Sequence, residues 1–111
     1  MLELVRDGES VIIEVSDEAL IGLAIAWLVE RQCRSWECVP DLVGFLNTAA
    51  DAMGKSIALV RDLPRVWDAW FRVDIANHWV EVFRIGRIGG AEIEREIFNG
   101  SLLDYLMLGI D

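Results

Sequence analysis

DLPRVWDAWFRVDIANHWVEVFRI, residues 62–85, is the stretch on which the fold turns. Asp62-Leu63-Pro64 has the form of a helix start, because proline fits a first turn whose N–H groups lack partners anyway. Read as one helix, Arg65, Asp68 and Arg72 line one side, while Asp74, Asn77, His78, Glu81 and Arg84 line nearly the opposite side. An uninterrupted helix does not exchange its wet face midway unless it is packed on both sides. The chain is therefore expected to break near residues 73–78. Beyond the break, Trp79 to Ile85 is rich in Val, Ile, Phe and Trp and reads as a strand, with continued helix as the alternative.

Upstream, Leu2-Glu3-Leu4-Val5-Arg6 and Glu9-Ser10-Val11-Ile12-Ile13-Glu14-Val15 flank Asp7-Gly8. Asp-Gly suits a type I′ turn, whose two central residues both need positive φ. The predicted hairpin pairs Arg6 with Glu9, Leu4 with Val11 and Leu2 with Ile13. It gathers Leu2, Leu4, Val11, Ile13 and Val15 on a core face. Ser16-Asp17-Glu18 then opens a helix running to about residue 31 or 32, with a capping residue followed by acids in the first turn. Its middle, Ala19 to Val29, is apolar on every side, which demands burial by the rest of the domain or by a partner. Residues 33–40 form a loop. A second helix covers about Pro40 to Met53, with Leu42, Phe45, Leu46, Ala49, Ala50 and Met53 in one stripe and Gly54 as its stop. Ile57 to Val60 fits either a strand or a helical turn.

Downstream, Gly86 to Gly90 reads as a loop, Ala91 to Phe98 as a short helix, and Ser101 as the cap of a final helix that ends at Gly109. The expected class is α+β in a single domain, 1–111: an N-terminal β-hairpin packed against four or five helices, with a third antiparallel strand near 79–85.

Of the 111 residues, 19 are acidic and 10 basic, a formal charge of −9, and 54 % are hydrophobic. The first eighteen residues hold Glu3, Asp7, Glu9, Glu14, Asp17 and Glu18 against one base, Arg6. Such a balance repels phosphates and argues against direct nucleic-acid binding, whose affinity runs on Lys and Arg contacts. It suits a basic protein partner. The longest apolar run, Ala19 to Val29, is too short to cross a bilayer core, which takes about 20 residues. No basic segment precedes an apolar stretch at the N-terminus, so a cytoplasmic location is expected. In that compartment Cys33 and Cys38 are expected as two small, partly buried thiols; no further cysteine pair completes a zinc site.

The chemical inventory is thin for an enzyme. Asp74, His78 and Glu81 have i, i+4, i+7 spacing and would share one face of a helix, as an Asp–His acid–base pair or a three-ligand metal site in a small pocket. This is the one candidate for an enzyme or ligand binder. Gly86-x-x-Gly89-Gly90 could cradle phosphate only if a helix follows, and Glu92, Glu94 and Glu96 would then repel it. No catalytic residue, metal or cofactor is assigned. Trp36, in a loop between Arg34 and Glu37, is the expected exposed aromatic anchor.

In size, acidity and missing catalytic apparatus the chain resembles the immunity proteins of bacterial toxins and small phage-encoded inhibitors. Bacterial or phage accessory proteins in general share this character. The resemblance implies a non-catalytic binding protein that occludes a basic protein partner. The contact is then expected at Glu3, Asp7, Glu9, Glu14, Asp17, Glu18 and Trp36. A homo-oligomeric structural or assembly protein is the third possibility. The apolar helices 19–29 and 102–108 make a homodimer the expected state.

Overall fold

The computed structural model describes residues 10–60 and 64–108. Strand β1 (Ser10–Val15) leads into helix α1 (Ala19–Glu30), a single 3₁₀ turn at Trp36–Cys38, helix α2 (Val39–Met53) and strand β2 (Ile57–Val60). Three strands follow in a meander, β3 (Ala69–Asp74), β4 (Trp79–Ile88) and β5 (Ala91–Ser101), before helix α3 (Leu102–Leu108). The sheet is antiparallel throughout, in the order β2-β1-β3-β4-β5. Among the described residues no helix is long and apolar enough to cross a membrane.

This is α+β, but with three helices and five strands rather than a hairpin against four or five helices. The predicted Asp7-Gly8 turn lies outside the described residues. Ile13, which the predicted hairpin pairs with Leu2, pairs with Leu59 on one edge and Phe71 on the other. Two predicted helices are strands. Residues 69–74 pair with β1 and β4, and residues 91–101 pair with β4. The strand expected at 79–85 is present and continues to Ile88, and the ambiguous run 57–60 is strand. Residues 75–78 form the expected break.

Period two puts Val11, Ile13, Val15, Phe71, Val73, Val80 and Val82 on one face of the sheet, all buried. Helix α1 adds Leu20, Ile21, Ala24, Ile25 and Leu28 to that core, and α2 adds Leu42, Leu46 and Ala50. The apolar circumference of α1 is thus covered largely by its own domain: sheet below, α2 and α3 beside it. Its bounds lie close to those expected, but the side chain that bonds the first turn is Asp17 rather than Ser16. Asp17 Oδ1 accepts the Ala19 N–H at 2.9 Å at the start. At the end Gln32 takes a left-handed φ of 51°, and Cys33 N–H reaches the Leu28 carbonyl at 3.0 Å. Helix α2 stops as expected at Gly54, with φ 68°.

The connection from β2 to β3 explains the misread stretch. Both strands run antiparallel to β1, so the chain must return along β1 before β3 begins. Trp67 of that return meets Glu14 on the sheet face away from the helices, and Asp68 already extends β3 in the sheet, bonded to Val15 and Ile85. That second face is therefore partly covered too. Trp70 points onto it and is still only 3 % exposed. Trp70 thus breaks the apolar–polar alternation at the start of β3, which Phe71, Arg72, Val73 and Asp74 then keep, the apolar pair buried and the charged pair half-exposed.

Candidate interaction surface

The second face of the sheet carries a dense set of aromatic and charged side chains. Register puts Glu14, Trp70 and Phe83 side by side, then Ile12, Arg72 and Glu81, then Ser10, Asp74 and Trp79. Trp70 and Phe83 stack with ring centroids 4.1 Å apart. The Arg72 guanidinium lies 5.9 Å above the Trp70 ring and pairs with Glu81 at 3.2 Å. Trp70 Nε1 donates to Glu94 Oε2 at 3.0 Å, and Trp79 Nε1 donates to Asn99 Oδ1 at 2.6 Å. The face therefore has a rigid aromatic floor with Trp79 and Trp67 at its margins, 47 % and 37 % exposed.

Strand β5 borders this floor. Gly89 and Gly90 form the turn into it, with φ of 60° and 85°, a pair suited to the type I′ geometry that matches strand twist. Gly86 lies within β4 and no helix follows the glycines, so the phosphate-loop reading does not hold. Glu92, Glu94 and Glu96 pair with Arg87, Ile85 and Phe83, and all three project onto the aromatic face. Successive carboxylates stand about 7 Å apart along the strand, two residues per step. Arg87 bonds Glu92 at 3.1 Å, an exposed pair of small energetic weight, and Asn99 Nδ2 donates to Glu96 at 3.3 Å. The sequence held a signal for this row. E-I-E-R-E-I after Gly-Gly alternates with period two, but its helix-favouring Glu and Arg masked it.

The residues singled out from sequence are placed otherwise. Glu3, Asp7 and Glu9 lie outside the described residues. Glu14 is buried, 1 % exposed, and cannot meet a partner directly. Asp17 holds the start of α1 and pairs loosely with Lys55 at 3.9 Å. Glu18 forms a two-point ion pair with Arg84, at 2.8 and 2.9 Å. Trp36 is not an exposed anchor. It is 8 % exposed and part of the core. Trp36 sits in the short loop closed by Cys33 and Cys38, which are joined in a disulfide rather than free, with Cα atoms 6.4 Å apart.

Asp74, His78 and Glu81 do not converge. Asp74 accepts the Asn77 backbone N–H at 3.1 Å and its side-chain amide at 2.8 Å, which shapes the β3–β4 turn. His78, at φ 52° in that turn, donates from Nε2 to the Cys33 carbonyl at 2.6 Å, toward the end of α1. Glu81 pairs with Arg72 on the aromatic face. A strand at 79–88 removes the helical face the three would have shared. Among the described residues no group of three or more His, Cys, Asp and Glu side chains could hold a metal ion.

On the helix side a cleft of about 680 Å³ opens between α1, β4–β5 and α3. Gly22, Ile97, Phe98 and Leu106 supply apolar wall, and the Glu18–Arg84 pair and Tyr105 supply polar edge. Phe98 and Tyr105 meet edge to face, centroids 5.2 Å apart. Burial, then the Glu18 carboxylate, raises the Tyr105 phenol above its usual range, with Arg84 opposing. The arrangement offers a neutralised ion pair and a protonated phenol, with no nucleophile beside a base.

Comparison of the chain with protein-family models, with curated proteins and with solved structures finds no match.

Proposed function

We propose that the protein is a small acidic, non-catalytic binding protein that occludes a basic surface of a protein partner. The contact is the aromatic face of the sheet along β5. The observation that supports this best is the row Glu92, Glu94 and Glu96, exposed beside the stacked Trp70–Phe83 floor, with Trp79 exposed at the other end of β4. Charge of one sign steers a basic partner inward, and rigid aromatic side chains supply contact area at small entropic cost. Of the acidic residues expected from sequence, Glu14 is buried, Asp17 and Glu18 pair with Lys55 and Arg84, and Glu3, Asp7 and Glu9 lie outside the described residues; the β5 glutamates also hold contacts within the chain, to Arg87, Trp70 and Asn99, but form the one exposed row beside aromatic side chains among the described residues.

The test is capture from the native host with wild-type protein and with Glu92→Lys, Glu94→Lys and Glu96→Lys combined, followed by cross-linking of the captured partner. The expected result is salt-sensitive capture, lost in the variant, with cross-links from β5 and its neighbours. A partner held equally by both proteins and indifferent to salt overturns the proposal.

A homodimer through α3 is a second reading, supported by Leu103, Met107 and Leu108, which are 61 %, 65 % and 64 % exposed. Of residues 19–29, Leu23, 38 % exposed, remains open to it. Sedimentation at micromolar concentration decides: a single 12.5 kDa species at all concentrations removes the dimer.

A further inference from the structure

We infer that the partner is engaged by strand addition: an extended basic segment pairs with the outer edge of β5, its Lys or Arg side chains at alternate positions facing Glu92, Glu94 and Glu96. The inference rests on the proposed acidic contact and specifies its geometry. Strand β5 is the last strand of the sheet, so one of its edges has no strand partner among the described residues. Hydrogen-bond parity identifies the residues that present that edge. In a two-residue hairpin the residues flanking the turn exchange both backbone bonds. Ile88 and Ala91 are that pair, and alternation continues the inward bonding to Ile93 and Arg95. The residues between them turn the other way. Ile85, opposite Glu94, sends its N–H away from β5 to the Asp68 carbonyl at 2.8 Å. The outward N–H and C=O groups of β5 therefore belong to Glu92, Glu94 and Glu96.

The same three residues thus offer open backbone groups sideways and carboxylates on the aromatic face. A strand added to this edge sets its own bonded residues directly opposite them, with side chains on the same face at cross-strand distance. Lys or Arg there makes a favourable pair at each step; Asp or Glu makes a repulsive one. The rule also disfavours the commonest misuse of an open edge. A second copy of β5 paired antiparallel in the fully overlapped register would set Glu94 opposite Glu94 and Glu92 opposite Glu96, so self-pairing there meets like charge at each step. The segment used is short, 91–96, because a bulge opposite Val82 and Phe83 interrupts the ladder beyond Glu96. Main-chain bonds supply affinity in this mode and alternate side chains supply selectivity.

Three octapeptides test the inference against the full-length protein by calorimetry: alternating Lys and Val, four Lys followed by four Val, and the alternating peptide N-methylated at its lysines. The alternating peptide is expected to bind at least tenfold tighter than either of the others and to slow amide exchange at Glu92, Glu94 and Glu96. On the protein, Glu92→Gln and Glu92→Pro remove the same charge, but only the proline removes the outward N–H. The proline variant, checked for native circular dichroism, is expected to lose a further several-fold. Equal, salt-sensitive binding of all three peptides overturns strand addition and leaves the acidic surface standing. No binding of the alternating peptide also overturns strand addition, and the charge-reversal capture then judges the surface by itself.

Discussion

The Glu14 carboxylate accepts the backbone N–H of Trp67 at 3.0 Å, across 53 residues of sequence, in a position only 1 % exposed. It ties the returning chain to the sheet face opposite the helices and so supports the margin of the aromatic floor. Replacing Glu14 with Ala strands the Trp67 N–H and is expected to cost roughly 1–3 kcal/mol. Glu14→Gln keeps an acceptor oxygen and is expected to cost distinctly less. Urea denaturation of the two variants checks this; equal losses would show that the contact is not what holds the segment.

Val66, next to that contact, has a φ of 74°. A β-branched residue in the left-handed region is strained by about 1–2 kcal/mol. Glycine releases the strain and adds roughly 0.5–1 kcal/mol of unfolded-state entropy in opposition. Val66→Gly is therefore expected to leave the melting temperature level or raise it by a few degrees. A clear fall on scanning calorimetry would contradict the strain.

Reduction of the Cys33–Cys38 disulfide frees the loop that carries Trp36 into the core. For so short a loop the chain-entropy contribution is about 2 kcal/mol. A reducing agent, or Cys33→Ser with Cys38→Ser, is expected to lower the melting temperature by roughly 5–12 °C. It should also shift Trp fluorescence toward the red. Identical melts with and without reductant would show that the bridge adds no stability.

Alkali should expose the environment of Tyr105. Its phenol is raised in the folded state by burial and by Glu18, whereas in the unfolded chain it titrates near 10. The unfolded chain therefore loses its proton first. The stability tied to the neutral phenol is complete below pH 10 and is lost as pH rises through the folded value. Tyr105→Phe has no proton to lose and is expected to fall less steeply between pH 9.5 and 11. Parallel stability–pH curves for the two proteins would remove Tyr105 from the account.

Local chemistry accounts for what could be read in advance. Asp17 before Ala19, Gly54 after Met53 and Ser101 before Leu102 mark helix ends because each solves a backbone problem within a few residues: Asp17 and Ser101 accept N–H groups, and Gly54 takes the left-handed turn. The core face Val11, Ile13 and Val15 was legible through period two, and the strand from Trp79 through its content of Val, Ile, Phe and Trp. The total charge of −9 and the lack of an assembled catalytic set in the sequence shaped the functional expectation in the same way.

What only the tertiary structure decided is where neighbours distant in sequence cover a face or leave it open. Residues 69–74 obscure their strand period at Trp70, an apolar side chain on the second face that is buried by its stack on Phe83 from the neighbouring strand. Residues 91–96 favour helix locally, yet the Gly89-Gly90 turn lays them against β4, whose backbone bonds outweigh a propensity of a few tenths of a kcal/mol per residue. Glu14 and Trp36 have the composition of surface residues and are buried, one beside Trp67 and one within the loop Cys33 and Cys38 close. Sequence determines the charge a residue carries and the period it can follow; which carboxylates meet solvent, here Glu92, Glu94 and Glu96 rather than Glu14, is settled by long-range pairing that no local window contains.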